Sequence, residues 1–275
     1  MNPLLALNSP HSRARYAAVW REYDRELTAE GVQAYIAEWR EAGAAPATVN
    51  LKLAAMKCRA RAEAPPDEVA RIEAIKGIPM HGVRMGSWLS LEQVNQLLAV
   101  PGAGLAVDRN RAILAMLVGT ALRRAELVSL RTDHLQTLNG RLCIVDMVGK
   151  GRRVRTVPLP AWCAGHLATW LDAAGIAAGL VWRRVYKGAV AEEGLSADHI
   201  HAIVKAAGVR IGMPRLAPHD LRRSFAQLSR AGKAPLEQIS LTLGHSSLRT
   251  TERYLGGKLD LENPACDAIK IGATE

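Results

Sequence analysis

Five short stretches of this 275-residue chain carry side chains able to hold an anion or move a proton. GTALRRAELVSL (119–130) places Arg123 and Arg124 at the end of a strongly apolar run, with Glu126 three residues after Arg123. GKG puts Lys150 between two glycines. PHDLRRSFAQL (218–228) sets His219 and Arg222 three apart, which is one face of a helix. LGHSS offers His245, and GHSSLRTTERYL brings Tyr254 nine residues later, just before a Gly-Gly pair. With Arg249, Thr250, Thr251, Glu252 and Arg253 ahead of it, Tyr254 is not set as a core tyrosine would be. Its phenol is expected near water and near positive charge. Each stretch also has an ordinary structural meaning. Paired arginines usually line a solvated face, and a lysine between glycines is common turn chemistry. His219 sits between a proline and an aspartate, as at a helix start, and tyrosines commonly pack the ring and hydrogen-bond the hydroxyl.

The elements that must position these groups are mostly helical. In SRARYAAVWREYDREL, Tyr16, Val19, Trp20 and Tyr23 fall at helical spacing, as do Val32, Tyr35, Ile36 and Trp39 in TAEGVQAYIAEWREAG. Thr28 is placed to cap that second helix and Gly43 to end it. Pro46 opens a third helix with Val49, Leu53 and Met56 on one stripe. Residues 1–80 therefore read as a small helical bundle. KGIPMHGVRMGS (76–87) loses all periodicity, and a linker is expected at 81–88. From 89 to 275 the pattern predicts a second domain. Ser90 and Gln93 make a capping box, and an apolar helix follows through RAILAMLVGTAL. RLCIVDM and RRVRTVPLP then flank VGKG, where alternating polar and apolar residues predict a β-hairpin with Lys150 at its tip. After Ser196 helices return, with breaks expected at Gly208, Pro214, Pro218, Gly232, Pro235, Gly244 and Gly256. The fold class is mainly α: an N-terminal helical bundle, then a mixed α+β domain with a small antiparallel hairpin or sheet.

Composition narrows the partner. A formal charge of +10 points to a polyanion. The excess is uneven, with 12 Lys and Arg against 10 Asp and Glu in residues 1–87, and 24 against 16 in 88–275. No run of 18 apolar residues predicts a membrane span, and the first sixteen residues do not suit a signal peptide. The four cysteines are scattered without a C-x-x-C pair, so neither a zinc site nor a disulfide framework is expected, and the compartment reads as reducing. No metal or cofactor is expected.

Taken together, R-x-x-E-L, G-K-G-x-x-x-R-x-V-P-L, H-x-L-R-R-S-F-A, L-G-H-S and the later tyrosine resemble the tyrosine recombinases, or phage integrase family. The 23 residues from Arg222 to His245 and the nine from there to Tyr254 fit that family's pattern. The likeness spans most of 88–256, with APATVNLKLAAM resembling the family's core-binding domain more loosely. One departure is Ala121, where the family usually has glycine. Because alanine favours helix, the turn before Arg123 is expected to sit slightly differently, without loss of activity.

The resemblance implies a site-specific recombinase with an Xer-like or Cre-like two-domain layout, and no room for the arm-binding domain of lambda-type integrases. It implies that Tyr254 attacks a DNA phosphodiester to give a 3′-phosphotyrosine and a free 5′-hydroxyl, without metal or ATP. It further implies that Arg123 and Arg222 clamp the phosphate, His245 adds a contact, His219 acts as base and Lys150 as general acid, with Glu126 orienting Arg123. Arg124 and Arg223 are expected to point away from the clamp. The implied partner is double-stranded DNA, with a tetramer on paired sites, a tail (256–275) docked on a neighbouring subunit, and a partner recombinase or accessory protein as further candidates. The expected place is the cytoplasm, at the nucleoid. A type IB topoisomerase and a catalytically idle DNA-binding regulator remain as alternatives. A helix-turn-helix repressor is a poorer one, since it leaves Lys150 unexplained.

Overall fold

The computed structural model describes residues 10–79, 88–148, 154–245 and 248–255. The chain divides into two compact units, residues 1–82 and 83–275. Of the linker expected at 81–88, only Trp88 lies within the described residues.

Among the described residues the first unit holds four helices, α1 (Pro10–Glu22), α2 (Ala29–Glu41), α3 (Pro46–Glu63) and α4 (Pro66–Ala74). Their apolar stripes meet in one core that includes Val19, Tyr23, Val32, Tyr35, Ile36, Val49, Leu53, Met56 and Ile72. The local chemistry accounts for the boundaries. Thr28 Oγ1 accepts from the Gly31 N–H at 3.1 Å, satisfying one of the free donors of the first turn. At the other end, Gly43 takes φ +71°. Gly43 N–H donates to Arg40 O and Ala44 N–H to Trp39 O, the bond pair of a Schellman close.

The second unit is built around α6 (Leu105–Thr120), whose residues Ala112–Thr120 are all buried. A helix buried on every side needs apolar residues on every side, which explains why RAILAMLVGT has no polar stripe. Around it pack α5 (Leu91–Leu98), α8 (Ala161–Ala173), α9 (Ala197–Arg210) and α10 (Pro218–Ala231), with Trp170 and Trp182 filling the largest volumes of the core. The Ser90–Gln93 capping box forms in both directions, at 2.9 and 3.2 Å. Gly208 does not break a helix as expected. It lies inside α9, where a Cβ would fall 2.5 Å from Met213 O and 2.6 Å from Leu216 Cβ, so glycine lets the following chain fold back onto the helix.

Two small antiparallel sheets complete the mainly α fold. The first has the order β1 (Leu135–Leu138), β2 (Arg141–Val148), β3 (Val154–Pro158), with Leu135 facing Ile144 and Ile144 facing Val157. The register slips between Ile144 and Met147, where Asp146 has φ +53°. The β2–β3 hairpin is the one expected, but its tip, 149–153, lies outside the described residues. Strand β1 and the separate hairpin of β4 (Arg183–Tyr186) with β5 (Ala189–Gly194) are additions to the expectation. Both were written in the sequence. Asn139-Gly140 and Lys187-Gly188 each carry two successive positive φ angles, the two-residue turn that joins twisted strands. Three short helices carry the site: α7 (Arg124–Val128), α11 (Leu236–Leu243) and α12 (Leu248–Leu255). No helix among the described residues is long and apolar enough to cross a membrane.

Candidate active site

Three helix ends and one strand converge to make the site. The apolar run does not carry Arg123 at the end of α6, as expected from sequence: α6 stops at Thr120, and Arg123 is the residue that precedes α7. Between them Ala121 takes the left-handed conformation, φ +53° and ψ +25°. This corrects the reason given for the alanine. Helix propensity is irrelevant at a residue that leaves the helix, and glycine is the usual family choice because L side chains resist this φ. The turn delivers the Ala121 carbonyl to a guanidinium of α10. Arg222, 3% exposed, donates from Nη1 to Ala121 O at 2.5 Å and from Nη2 to Leu243 O. Ala121 follows α6 and Leu243 ends α11, so two helix C-termini, each the negative end of its dipole, hold this buried cation in place.

Arg123 sits beside it, half-exposed. Glu126, 6% exposed, accepts from the Arg123 backbone N–H at 2.8 Å and from Arg123 Nη1 at 2.8 Å. Glu126 thus closes the first turn of α7 and fixes the arginine in one stroke. A second guanidinium grips the same carboxylate. Arg155 donates from Nη1 to Oε1 at 3.1 Å and from Nη2 to Oε2 at 2.8 Å. Burial alone would raise the Glu126 pKa, but the hydrogen bonds from Arg155 and from Arg123, with the Arg155 charge, bring it down to about 2. Glu126 is therefore an anion at neutral pH, shared between two cations.

His219 stands in the first turn of α10, where Asp220 Oδ2 accepts from the Ala217 N–H at 3.0 Å. The ring is reached by solvent at the rim of an open cleft of about 390 Å³, lined by Arg123, Arg124, His201, Pro218, His219 and Arg222 among others. Local burial, then the charges of Arg223, Arg222 and Arg123, hold its pKa below the ordinary value, against a smaller upward pull from Asp220. His245 follows a second Schellman close. Gly244 has φ +61°, its N–H donates to Leu241 O, and the His245 N–H donates to Ser240 O. Burial first, then Arg222, Arg123, His219 and Arg155, depress the His245 imidazole to about 4. Both rings are neutral at pH 7.

The structure thus brings five of the seven sequence-predicted residues together: Arg123, Glu126, His219, Arg222 and His245. Lys150 lies outside the described residues. Tyr254 is described by its backbone alone, on the last turn of α12. That helix is fastened to the site at its middle and at its last residue. Thr251 Oγ1, fully buried, lies 2.9 Å from His245 Nδ1, and Gln227 Nε2 on α10 donates to Leu255 O at 2.9 Å. Arg124 and Arg223 pair at 3.6 Å with Asp198 and Asp220, although Arg124 also lines the cleft.

Sequence reasoning met Arg155 only as the arginine of the G-K-G-x-x-x-R-x-V-P-L motif, without a role, and missed Thr251. Parity was the available signal for Arg155. On a strand, residues 155 and 157 share a face, and Val157 is buried while Val154 is 62% exposed. The arginine, not the valine beside it, points inward. For Thr251 the signal was its place one turn before Leu255, which packs on the core, an inward pair that is easily overlooked in so polar a helix.

Comparison with known proteins places the chain in context. Residues 87–258 match the phage integrase family. The chain is similar to tyrosine recombinase XerA of Thermococcus kodakarensis, 29% identical over 252 residues, covering 90% of this chain and 84% of that protein. It is similar to tyrosine recombinase XerC of Mycobacterium leprae, 28% identical over 272 residues, covering 90% and 88%. Among solved structures, the fold resembles the Tn1549 transposon integrase in complex with transposon right end DNA, with a TM-score of 0.69 and 14% identity over 92% of this chain and 90% of that one.

Proposed function

The chain belongs to the phage integrase family and is a site-specific DNA recombinase, and from that premise we propose that Tyr254 cuts and rejoins DNA strands through a covalent phosphotyrosine. The relatives do not favour the topoisomerase or idle-regulator alternatives. In the first step the Tyr254 oxygen forms a bond to phosphorus, the phenol proton passes to His219, and the bond from phosphorus to the 5′-oxygen breaks. Lys150 gives that oxygen its proton, leaving a 3′-phosphotyrosine and a 5′-hydroxyl. Rejoining is the same sequence reversed from a 5′-hydroxyl of the partner strand. The phosphoester energy stays in a bond throughout, so no ATP is consumed.

The site chemistry fits these assignments. A phenol of pKa about 10 is only roughly 0.1% ionised at pH 7, so a neutral imidazole able to take its proton is required. His219, held neutral by its surroundings, meets that need. The pentavalent phosphorane gathers charge on its non-bridging oxygens, and two guanidiniums oppose it from separate elements, Arg123 ahead of α7 and Arg222 on α10. His245 contributes as a neutral donor: its Nδ1 lies 2.9 Å from the Thr251 hydroxyl, and in the tautomer that accepts there the ring proton sits on Nε2, the donor toward the phosphate. Arg222 carries the proposal, because a guanidinium fixed by two backbone carbonyls beside a cleft shared with Arg123 and His219 is a preorganised oxyanion site.

On the same reading, residues 1–80 form the core-binding domain, 89–275 the catalytic domain, and the chain assembles as a tetramer on paired sites of double-stranded DNA in the cytoplasm, at the nucleoid. The test is covalent trapping. Wild-type protein expressed in cells and denatured is expected to carry DNA of one defined site, and Tyr254→Phe to carry none. An adduct from both proteins would move the nucleophile elsewhere. A wild type that forms no adduct even on a nicked synthetic site would end the cleavage chemistry.

A further inference from the structure

We propose that Arg155 is a positioning residue of the reaction, the joint that holds Arg123 and His245 in register with strand β3. The inference rests on the cleavage chemistry proposed above, and its geometry is independent of it. The Arg155 side chain is 10% exposed, so its reach is to protein. Its two terminal nitrogens fork onto both oxygens of Glu126, at 3.1 and 2.8 Å, and Nε donates to Thr242 O at 3.1 Å. All three contacts are made by one planar group, two to Glu126 at the start of α7 and one to Thr242 near the end of α11.

Through Glu126 the fork reaches Arg123, whose backbone and side chain hang on the same carboxylate. A Glu126 held by Arg123 alone could swing about its own side-chain bonds; held by a second fork it cannot. Through Thr242 O the Nε contact reaches the turn that closes α11. The arginine also packs on that turn, since a Cβ on Gly244 would meet Arg155 Cδ at 3.1 Å and Nε and Nη1 at 3.3 Å. Gly244 is followed directly by His245. Finally, Arg155 stands on β3, so that strand is tied to Glu126 and to the close of α11 at this point. One side chain therefore links the clamp arginine, the clamp histidine and strand β3.

A purely structural ion pair and a positioning residue predict different outcomes for Arg155→Lys in the full chain. Lysine keeps the charge but cannot fork onto two carboxylate oxygens while also donating to Thr242 O. DNA affinity and far-UV circular dichroism are expected to match the wild type. Single-turnover cleavage of a nicked suicide duplex is expected to fall by about 10- to 100-fold, the scale on which small misplacements act. The second readout needs no activity. The His245 ring, faced by Arg222, Arg123, His219, Arg155 and Thr251, is followed by NMR titration, and Arg155→Lys is expected to move its midpoint. Arg155→Gln, which keeps one hydrogen bond and loses the charge, is expected to move that midpoint upward. Wild-type cleavage together with an unmoved His245 midpoint in Arg155→Lys would overturn the proposal, as would a failure of both variants to fold, which makes the residue structural. If the wild type itself never cleaves, the cleavage chemistry falls separately, and the His245 midpoint alone decides: a shift supports the positioning role and no shift ends it.

Discussion

The two units of the chain each bury cations, and they use them in opposite ways. In the first unit Lys52 is 6% exposed, donates to Glu22 Oε2 at 2.6 Å and to the Tyr35 hydroxyl at 3.1 Å, and lies 3.7 Å from the centroid of the Trp39 ring. One cation meets one carboxylate and two electron-rich rings, and the cluster is neutral. In the second unit Arg123 and Arg155 share the single carboxylate of Glu126, while Arg222 is pinned by the carbonyls of Ala121 and Leu243. Two guanidiniums on one carboxylate leave a positive charge over. The neutral cluster is an element of folding. The surplus is what a polyanion would find, and it sits where the charge count along the chain is also greatest, 24 basic against 16 acidic residues in 88–275.

Removing one cation from each unit is the hardest test of that difference. Arg222→Ala is expected to lower cleavage by roughly 100- to 1,000-fold, the loss seen when one donor to a developing oxyanion is deleted. It also leaves two buried carbonyls without a donor, at about 1–3 kcal/mol each. Lys52→Met should destabilise the first unit by about 1–2 kcal/mol, because Glu22 can rehydrate once its partner is gone. Cleavage per folded molecule should stay at the wild-type level. Equal losses of cleavage in the two variants, measured on a suicide duplex beside thermal melts, would erase the distinction between the clusters.

Acid offers a second, smaller separation. Glu126 is held at about 2, below its ordinary 4.5, so the folded state favours its anion. The stabilisation is complete above pH 4.5 and drains away as pH falls from 4.5 toward 2, amounting to about 3 kcal/mol over the window. His245, depressed from 6.5 to about 4, acts in the neighbouring window: the fold resists its protonation, so stability declines as pH falls from 6.5 toward 4. Wild-type melting temperature is therefore expected to drop in two stages, with Glu126→Gln starting lower and losing the second stage. A parallel decline of both proteins from pH 4.5 to 2 would mean that the shared carboxylate is not the source.

Much of the fold was readable before the structure. Helix ends with explicit chemistry, Thr28, Gly43, Pro46, Ser90 and Gly244, could be read because a cap is a local event. The residues that the structure brings together, Arg123, Glu126, His219, Arg222 and His245, could be singled out because they belong to short motifs of fixed spacing. What stayed hidden depended on pairing at a distance. Strand β1 and the β4–β5 hairpin are four to six residues long and carry no strong alternation, so only their Asn-Gly and Lys-Gly turns betray them. Arg155, a motif position with no role assigned to it, is separated by 29 residues from Glu126 and by 87 from Thr242, and its strand parity hinted that it points inward. Gly208 misled because a glycine in sequence does not say whether it ends a helix or admits a neighbour against it.

Ala121 gives the smallest expected effect and tests whether backbone, rather than charge, sets the second unit's clamp. Its left-handed φ of +53° costs an alanine about 1–2 kcal/mol that a glycine would not incur. Against this, the alanine is fully buried in a small cluster with Ala226, Ile239 and Leu243, and deleting its methyl forfeits about 1 kcal/mol of burial. Glycine also adds freedom to the unfolded chain, at about 0.4–1 kcal/mol. The opposing effects nearly cancel. Ala121→Gly is therefore expected to change unfolding free energy by less than about 1 kcal/mol and to leave cleavage within about twofold of the wild type, since the carbonyl that Arg222 needs is delivered by φ and ψ and not by the methyl. Ala121→Val probes the reverse. A β-branched residue resists this conformation more strongly, and as the turn opens the 121 carbonyl leaves Arg222. Cleavage should then fall well before the melting temperature reports loss of the fold; if the two decline together, the turn serves packing and the carbonyl is incidental.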